Sequence, residues 1–458
     1  MTVAGTARTG QAAGRPKGRW ISDWRPDDPA FWETTGKKVA RRNLIWSILA
    51  EHLGFSLWTI WSIVTVRLGA YEFTTDQLFW LVALPNLIGS TLRLPYTFAP
   101  ARFGGRNWTM VSAALLLIPA VLLAVAVSDP ATPYWVFLVI AATAGFGGGN
   151  FASSMANITY FYPENRQGWA LGLNAAGGNI GVGSVQLLMP PVITAFGLAA
   201  AGLVWVPLIV IAAAGAWLFM DNLTTAKADP REQLRVAGRA QTWIMSFLYI
   251  GTFGSFIGYT TAFPLLITSQ FPEHGGLVGL AFLGALIGSL VRPAGGWLAD
   301  RLGGARVTLW NFAAMIGSVG LVGLGLSTHN VWLFFGAYML LVATTGIGNG
   351  STYRMIPAIF RAKAVEGVDP ADEKAYAAAL LAGKRNSSAA IGLISAIGAY
   401  GGFFINRGFG TSIAATGGAT SALVAFAAFY AVCFAVTWWC YLRTVGVRFV
   451  PSLASARV

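Results

Sequence analysis

Charged side chains are scarce in this chain, and their scarcity excludes a water-soluble fold. Asp, Glu, Lys and Arg make up 11% of its 458 residues, whereas 55% of the residues are hydrophobic. A soluble domain carries about 25% charged residues. The composition therefore predicts an integral membrane protein.

The residues that build redox, metal and covalent catalytic sites are also rare. The chain has two cysteines, Cys433 and Cys440, both in its last apolar segment, and three scattered histidines. Two cysteines in such a segment are typical of helix packing rather than of a disulfide or a metal site. The sequence also contains no phosphate-binding loop, dinucleotide fingerprint or catalytic triad. We therefore expect no metal, no cofactor and no enzymatic activity.

The few charges that are present have one dominant sign. Lys and Arg number 31 against 18 Asp and Glu, a net charge of +13. No soluble basic domain is present to bind nucleic acid, so we expect no nucleic-acid partner. We place Arg67 and Arg407 in outward loops, Arg93 and Arg292 in the membrane, and the other basic residues on the cytoplasmic side, as the positive-inside rule requires. Both termini are then cytoplasmic, and the protein is a multi-pass protein of the cytoplasmic (inner) membrane.

Apolar segments recur twelve times along the chain, which predicts an all-α membrane protein with twelve transmembrane helices. The expected segments are 43–66, 76–100, 107–127, 133–161, 168–190, 199–220, 240–266, 277–299, 307–327, 331–359, 386–406 and 418–442. The expected domains are a tail at 1–42, a six-helix bundle at 43–220, an inter-bundle loop at 221–239, a second six-helix bundle at 240–442 and a tail at 443–458, with tails and loop cytoplasmic.

Two local patterns refine these boundaries. Asp28 followed by Pro29 is typical of an N-cap and a first helical position, which predicts a short helix within the first tail, on the inner membrane surface. Residues 361–385 are polar and contain many of the remaining carboxylates, so we expect a second long loop there.

The two halves carry matching residues at a constant spacing. Arg93 in LIGSTLRLPYTF and Arg292 in LIGSLVRPAGGW stand 199 residues apart, and the same spacing relates Asn150 to Asn349. This coincidence indicates a duplicated bundle in which each half contributes one basic residue. Each arginine lies nine residues before the basic loop that ends its segment, about 13 Å along a helix. Because this is close to half of a hydrocarbon core of roughly 30 Å, we expect both side chains near the membrane midplane.

Placing a cation at the bilayer centre costs several kcal/mol of free energy, so each arginine needs a polar or negatively charged partner. The planar guanidinium presents paired donors that suit a flat oxyanion, and two such groups facing one cavity repel each other unless an anion lies between them. The alternative is that each arginine pairs with a helix C-terminus or with a buried carboxylate.

Two glycine-rich patches carry a family resemblance. The first is GFGGGNFASSMANITYFYPENRQGWALGLNAAGGNIGVGSVQ, and the second runs from GIGNGSTYRMIPAIF to SSAAIGLISAIGAYGGFF. Together with the two arginine segments, they resemble the nitrate/nitrite porter family of the major facilitator superfamily over nearly the whole chain after residue 20. The resemblance implies twelve helices in two pseudo-symmetric six-helix bundles. The substrate-binding residues it implies are Arg93, Arg292, Asn179, Tyr249, Phe151 and Phe253.

These residue types suit a flat anion. Tyr249 and Phe253 are four residues apart and share one helical face. Aromatic rings above and below a trigonal anion form a flat slot, and the Tyr hydroxyl and the Asn amide can donate hydrogen bonds to it. Such a slot favours nitrate or nitrite over tetrahedral phosphate or sulfate. The alternative for an aromatic pair at this spacing is core packing.

Two further groups of residues each have two alternative roles. Glu51 and His52 form an ionisable pair inside the first apolar segment, where they either couple protons to transport or satisfy each other or a neighbouring helix. Glycines allow helix backbones to approach closely in lipid, but they also serve as hinges. The glycines with these two interpretations are Gly148, Gly149, Gly177, Gly178, Gly398 and Gly401.

The sequence thus predicts a secondary active transporter in the lipid bilayer, acting by alternating access. We expect nitrate/nitrite exchange, because two uncompensated arginines make it unfavourable to close the cavity without an anion. Nitrate uptake by proton symport is the alternative, motivated by Glu51 and His52. A non-transporting nitrate sensor is the alternative from another class. We expect a monomer.

Overall fold

The computed structural model describes residues 19–226, 235–444, 452–454 and 458, and this part of the chain is almost entirely helical. Twelve of its helices are long and apolar enough to cross a membrane. They are α1 (Pro29–Arg67), α2 (Thr75–Phe103), α3 (Gly105–Ala126), α4 (Tyr134–Phe161), α5 (Glu164–Phe196), α6 (Ala200–Phe219), α7 (Ala240–Gln270), α8 (Phe282–Leu302), α9 (Gly304–Ser327), α10 (Val331–Val365), α11 (Glu373–Thr416) and α12 (Thr420–Leu442). The predicted all-α fold with twelve transmembrane helices is confirmed.

Local sequence signals set several helix ends. Thr74 and Gln77 form a reciprocal capping box at the start of α2, and the Asp372 side chain caps the start of α11. Gly104 and Gly303, again 199 residues apart, separate α2 from α3 and α8 from α9 with φ of 89° and 90°. Only glycine adopts such a conformation without strain, so the duplication extends to the backbone of these two turns.

The helices pack as two six-helix bundles with matching neighbours. In the first bundle α2 packs on α4, α1 on α5 and α3 on α6; in the second α8 packs on α10, α7 on α11 and α9 on α12. The bundles meet where α2 packs on α11 and α5 on α8. Helix α2 corresponds to α8 in the duplication, and α5 corresponds to α11. The α2–α11 and α8–α5 contacts are therefore equivalent, as a pseudo-two-fold axis between duplicated halves requires.

Glycines bring the backbones of the paired helices together. A Cβ added to Gly148 would lie 2.8 Å from the Gly89 Cα across the α2–α4 contact, and one added to Gly346 would lie 2.2 Å from the Gly288 carbonyl oxygen across α8–α10. All six glycines named as packing or hinge candidates lie at such close contacts. The residues nearest to an added Cβ are Gly89 and Trp58 for Gly148, Tyr96 for Gly149, Ile48 for Gly177, Glu51 for Gly178, Tyr249 for Gly398 and Gly254 for Gly401. Their use as hinges stays a prediction.

The helices extend well beyond the apolar segments. The first begins at Pro29 rather than at 43, because the helix capped by Asp28 continues through a π-helical turn into the membrane segment instead of ending. The loop expected at 361–385 is also wrong, since α10 runs to Val365 and α11 starts at Glu373. Apolarity marks only the part of a helix that lies in lipid, whereas capped polar turns continue beyond it. Arg407, expected in a loop, lies inside α11.

The inter-bundle connection contains a short strand. Residues Trp20–Ile21 (β1) pair in parallel with Asn222–Leu223 (β2), so part of the expected N-terminal tail is fixed to the segment after α6. Residues 227–234 of the expected loop, residues 1–18 of the first tail, and 445–451 and 455–457 of the second lie outside the described residues.

Candidate functional site: a central pair of arginines

Arg93 lies on α2 in the middle of the protein and has no exposed surface. Its Nε donates to the Gly148 carbonyl oxygen at 3.1 Å, and its Nη1 donates to the Ser395 carbonyl oxygen at 3.2 Å. Ser395 belongs to α11, so this guanidinium joins the two bundles. The remaining nitrogen, Nη2, is buried and has no hydrogen-bond partner among the described residues. A buried donor without an acceptor is costly, which suits this nitrogen to binding an incoming anion.

Three aromatic rings surround the Arg93 guanidinium. Its carbon lies 4.7 Å from the ring centroid of Phe151, 5.1 Å from that of Phe253 and 5.3 Å from that of Trp58. The Phe151 and Phe253 rings are near parallel, at 28°, with centroids 6.5 Å apart. The Tyr249 ring stacks on Phe253 at 5.3 Å. These rings hold the cation in place and form apolar walls that exclude water.

Arg292 occupies the matched position on α8, but it is only partly buried. Its guanidinium carbon lies 5.5 Å from the ring centroid of Tyr353, and the Tyr249 hydroxyl interacts with the same guanidinium. Its Nη1 is buried without a hydrogen-bond partner among the described residues. Tyr249 connects the two arginines, because its ring stacks on Phe253 beside Arg93 and lies 6.4 Å from the Tyr353 ring beside Arg292. Both arginines therefore belong to one centre.

Neither arginine forms an ion pair with a carboxylate in the part of the chain that the structure describes. The carbonyl groups that Arg93 uses belong to residues inside α4 and α11, not to helix ends. The structure therefore brings five of the six predicted substrate-binding residues together around two incompletely paired cations.

Asn179, the sixth, is buried on α5, and its Oδ1 has no hydrogen-bond partner among the described residues. It follows Gly178, which packs against Glu51. Among the described residues no hydrogen bond links Asn179 to either arginine. Asn150 donates to the Ala50 carbonyl oxygen at 3.4 Å, an interhelical bond between α4 and α1.

Glu51 and His52 have separate surroundings. Glu51 is fully buried and accepts a hydrogen bond from the Asn174 amide at 2.8 Å, whereas Nδ1 of His52 lies 3.0 Å from the Gly177 carbonyl oxygen. Consecutive helical residues point about 100° apart, so only one of them faces the centre. That residue is Glu51, whose charge acts on both Arg93 and Arg292.

A cavity of about 720 Å³ leads from the centre towards one end of the bundles. Phe151, Tyr353 and Ser395 line its deep part, and Glu164 and Lys384 line its rim, where they form an ion pair between α5 and α11. We call this the basic end, because α2 and α8 end there in Arg102 and Arg301, close to the basic loops.

The opposite end is closed by contacts between the bundles. Asp76 at the start of α2 and Arg407 on α11 form an ion pair at 2.9 Å. Beside it, the Trp80 and Phe403 rings lie with centroids 6.0 Å apart, and the Arg407 guanidinium lies over Trp80. In this conformation the cavity at the basic end reaches Phe151, Tyr353 and Ser395, which contact the arginines, but neither arginine lines it.

Three residues that contact the arginines are not among the predicted site residues: Trp58, Tyr353 and Ser395. Tyr353 and Ser395 lie inside the glycine-rich patches quoted above, but nothing in those patches distinguishes them. Trp58 follows Glu51 by seven residues, two helical turns, so it shares the inward face of α1. Of these three residues, Trp58 is therefore the one whose position near the centre could have been predicted, from its spacing to Glu51.

Two pseudo-symmetric six-helix bundles around one central cationic site define a secondary carrier. The family model of the Major Facilitator Superfamily matches residues 44–368. The nitrate/nitrite transporter NarU of Salmonella typhimurium is 44% identical over 449 residues, covering 92% of this chain and 96% of that protein. The probable nitrate/nitrite antiporter NarK2 of Thermus thermophilus is 36% identical over 457 residues, covering 93% and 97%.

A solved structure supports the fold independently. The bacterial homologue of the human lysosomal transporter Spinster superposes with a TM-score of 0.57 at 15% identity, over 86% of this chain and 95% of that one. The chain therefore belongs to the major facilitator superfamily and, within it, to the nitrate/nitrite porter family that its sequence resembles. It is a multi-pass membrane transporter and not an enzyme.

Proposed function

We propose that this protein carries nitrate and nitrite across the cytoplasmic membrane by exposing one central site alternately to either side. The observation that carries the proposal is a pair of guanidinium groups at one centre, each with a buried N–H donor that has no hydrogen-bond partner in the described part of the chain, Nη2 of Arg93 and Nη1 of Arg292. An anion between the two guanidinium groups accepts a hydrogen bond from each of these donors and relieves the repulsion between the two cations. The names of the NarU and NarK2 relatives support nitrate and nitrite as that anion.

The shape of the centre supports a planar substrate. Apolar contacts have atom separations of about 3.5 Å, so a flat ion between two parallel rings needs roughly 7 Å. The centroid distance of 6.5 Å between Phe151 and Phe253 is close to this value. A tetrahedral anion is thicker and requires the rings to separate further.

For coupling, we propose nitrate/nitrite exchange. Exchange requires only that the loaded carrier changes conformation, with an anion between the arginines in both directions. Purified protein in proteoliposomes tests this directly: nitrate uptake should require internal nitrite or nitrate and should proceed without a pH gradient. Uptake into vesicles without an internal anion and without a pH gradient would contradict exchange.

Proton symport is a second candidate, because Glu51 lies within the electrostatic field of both arginines. Symport requires that the unloaded carrier also changes conformation, and a carboxylate near the arginines lowers the positive charge that opposes this step. An imposed inward proton gradient should then drive nitrate uptake into vesicles that contain no nitrite.

The proposed orientation places the basic end and both termini in the cytoplasm, as the positive-inside rule requires. The cavity would then face the cytoplasm. Each chain contains both arginines and the surrounding rings, so we propose that a monomer is sufficient for transport.

A further inference from the structure

We propose that Glu51 is a proton-binding site linked to the anion site, so that each bound anion raises the affinity of Glu51 for a proton and each proton raises the affinity for the anion. The inference rests on the proposed anion transport and adds the residue and the charge balance that connect it to protons.

The surroundings of Glu51 are built from neutral donors. Its side chain has no exposed surface, and one carboxyl oxygen accepts from the Asn174 amide of α5 at 2.8 Å. The Ser154 hydroxyl of α4 also contacts the carboxyl group and accepts from the same amide at 2.7 Å. The other oxygen, Oε1, lies against Gly178 and has no hydrogen-bond partner among the described residues. This buried, unpaired oxygen is available to hold a proton.

The charged groups that act on Glu51 come from two other helices. They are Arg93 on α2 and Arg292 on α8. The helices packed against this part of α1 contribute the uncharged Ser154 and Asn174. His52, the neighbour on α1 itself, points to the Gly177 carbonyl oxygen. The ionised carboxylate is therefore stabilised by the two arginines and by no other described charge.

An anion between the arginines removes this stabilisation. Two guanidinium groups and one carboxylate leave one net positive charge at the centre. Binding of nitrate alone neutralises that charge and places a second negative group beside a buried carboxylate, which favours protonation of the carboxylate. Uptake of one proton restores one net positive charge. The loaded, protonated centre and the unloaded, ionised centre thus carry the same charge.

Glu51 lies close to the cavity at the basic end. The Asn174 amide lies 3.5 Å from the Met155 sulfur, and Met155 lines the cavity that opens at the basic end. One layer of side chains therefore separates Glu51 from the cavity in this conformation.

The linkage has a consequence for the transport cycle. Exchange of one anion for another leaves the proton on Glu51 and needs no proton movement. When anion and proton both leave, the ionised carboxylate offsets one arginine, and the unloaded carrier can return. Exchange and proton-coupled uptake then become two routes through one cycle, and only the second depends on Glu51.

Nitrate binding to the purified full-length protein between about pH 5.5 and 8.5 tests the inference. The wild-type affinity should fall as the pH rises, approaching about tenfold per unit where Glu51 is ionised in the unloaded protein. Addition of nitrate to a weakly buffered sample should take up close to one proton per bound anion at the pH values where Glu51 is ionised in the unloaded protein, and fewer protons at lower pH. Glu51→Gln should bind nitrate with little pH dependence and take up no protons, whereas Glu51→Asp should retain both effects.

His52→Gln is the matched control, because it removes the neighbouring titratable group without altering Glu51. It should behave as the wild type in both measurements. In proteoliposomes, Glu51→Gln should keep nitrate/nitrite exchange and lose uptake driven by a pH gradient.

The outcomes separate the two proposals. If Glu51→Gln binds nitrate with the wild-type pH dependence, or if His52→Gln loses it, the assignment of Glu51 is wrong while nitrate transport stands. If the wild-type protein binds no nitrate at any pH, the proposed function itself is wrong.

Discussion

Arg93 and Arg292 occupy equivalent positions in the two halves, yet their surroundings differ. Arg93 is completely enclosed by three rings and two carbonyl groups, whereas Arg292 is partly exposed beside one ring and a tyrosine hydroxyl. The duplicated sequence therefore supplies two cations but not two equal sites. We infer that Arg93 is the fixed part of the anion site and that Arg292 is the more accessible part.

The cause of the difference lies on α4 and α10. At the 199-residue spacing, Phe151 of the first half corresponds to Gly350 of the second, and Ser154 corresponds to Tyr353. Phe151 covers Arg93, whereas Gly350 lets α10 approach the α8 backbone so closely that a Cβ would lie 2.1 Å from the Arg292 carbonyl oxygen. The helices α4 and α10 thus each place one aromatic ring near the arginine of their half, but the two rings are displaced by three residues, about 4.5 Å along a helix.

The largest effect is expected for Arg93→Lys. Lysine cannot reproduce the bonds to Gly148 and Ser395 while also presenting a free donor to the anion. Loss of two to three charge-assisted hydrogen bonds, roughly 3 kcal/mol, should weaken nitrate binding about a hundredfold. Equilibrium binding of nitrate to the purified variant checks this, and near-normal affinity would contradict the assignment.

Gly350→Ala should be nearly as disruptive, but to stability. The added methyl overlaps the α8 backbone, and we expect destabilisation of about 2 kcal/mol. Gly296→Ala is the matched control, because a Cβ there meets only the Gly350 carbonyl oxygen at 4.0 Å. Thermal unfolding in detergent compares the two variants. Equal stability would show that close packing does not account for the glycine at 350.

Arg292→Lys should reduce nitrate affinity less than Arg93→Lys does, by roughly tenfold, since a partly exposed cation has fewer protein contacts to lose. Parallel titrations of both variants with nitrate provide the comparison. If the Arg292 variant is the more impaired one, the division into a fixed and an accessible arginine is wrong.

Phe151→Ala should have the smallest effect on affinity and should act mainly on selectivity. Removing one wall of the slot should let sulfate and phosphate compete several-fold better against nitrate, as should Phe253→Ala. Phe404→Ala, on an exposed side chain of α11, is the control. Competition binding measures the change in selectivity. If Phe151→Ala and Phe253→Ala both keep the wild-type selectivity, the two rings serve only to pack the helices.

Sequence alone predicted the helix number, the duplication and the arginine pair, because apolar length and a repeated spacing are properties of the chain itself. The unequal burial of Arg93 and Arg292 was not predictable in this way. It depends on Ser395 and Phe253, which belong to helices of the other bundle, and no periodicity along α2 or α8 contains that information. The separation of Glu51 from His52 follows from helix geometry, but which of them faces the centre required the packing of α1 on α5.

A structure determined with nitrate bound tests the central claim most directly. We predict one planar anion within hydrogen-bonding distance of both Arg93 Nη2 and Arg292 Nη1, beside Phe151 and Phe253. An anion held by only one of the arginines, or bound away from both, would contradict it.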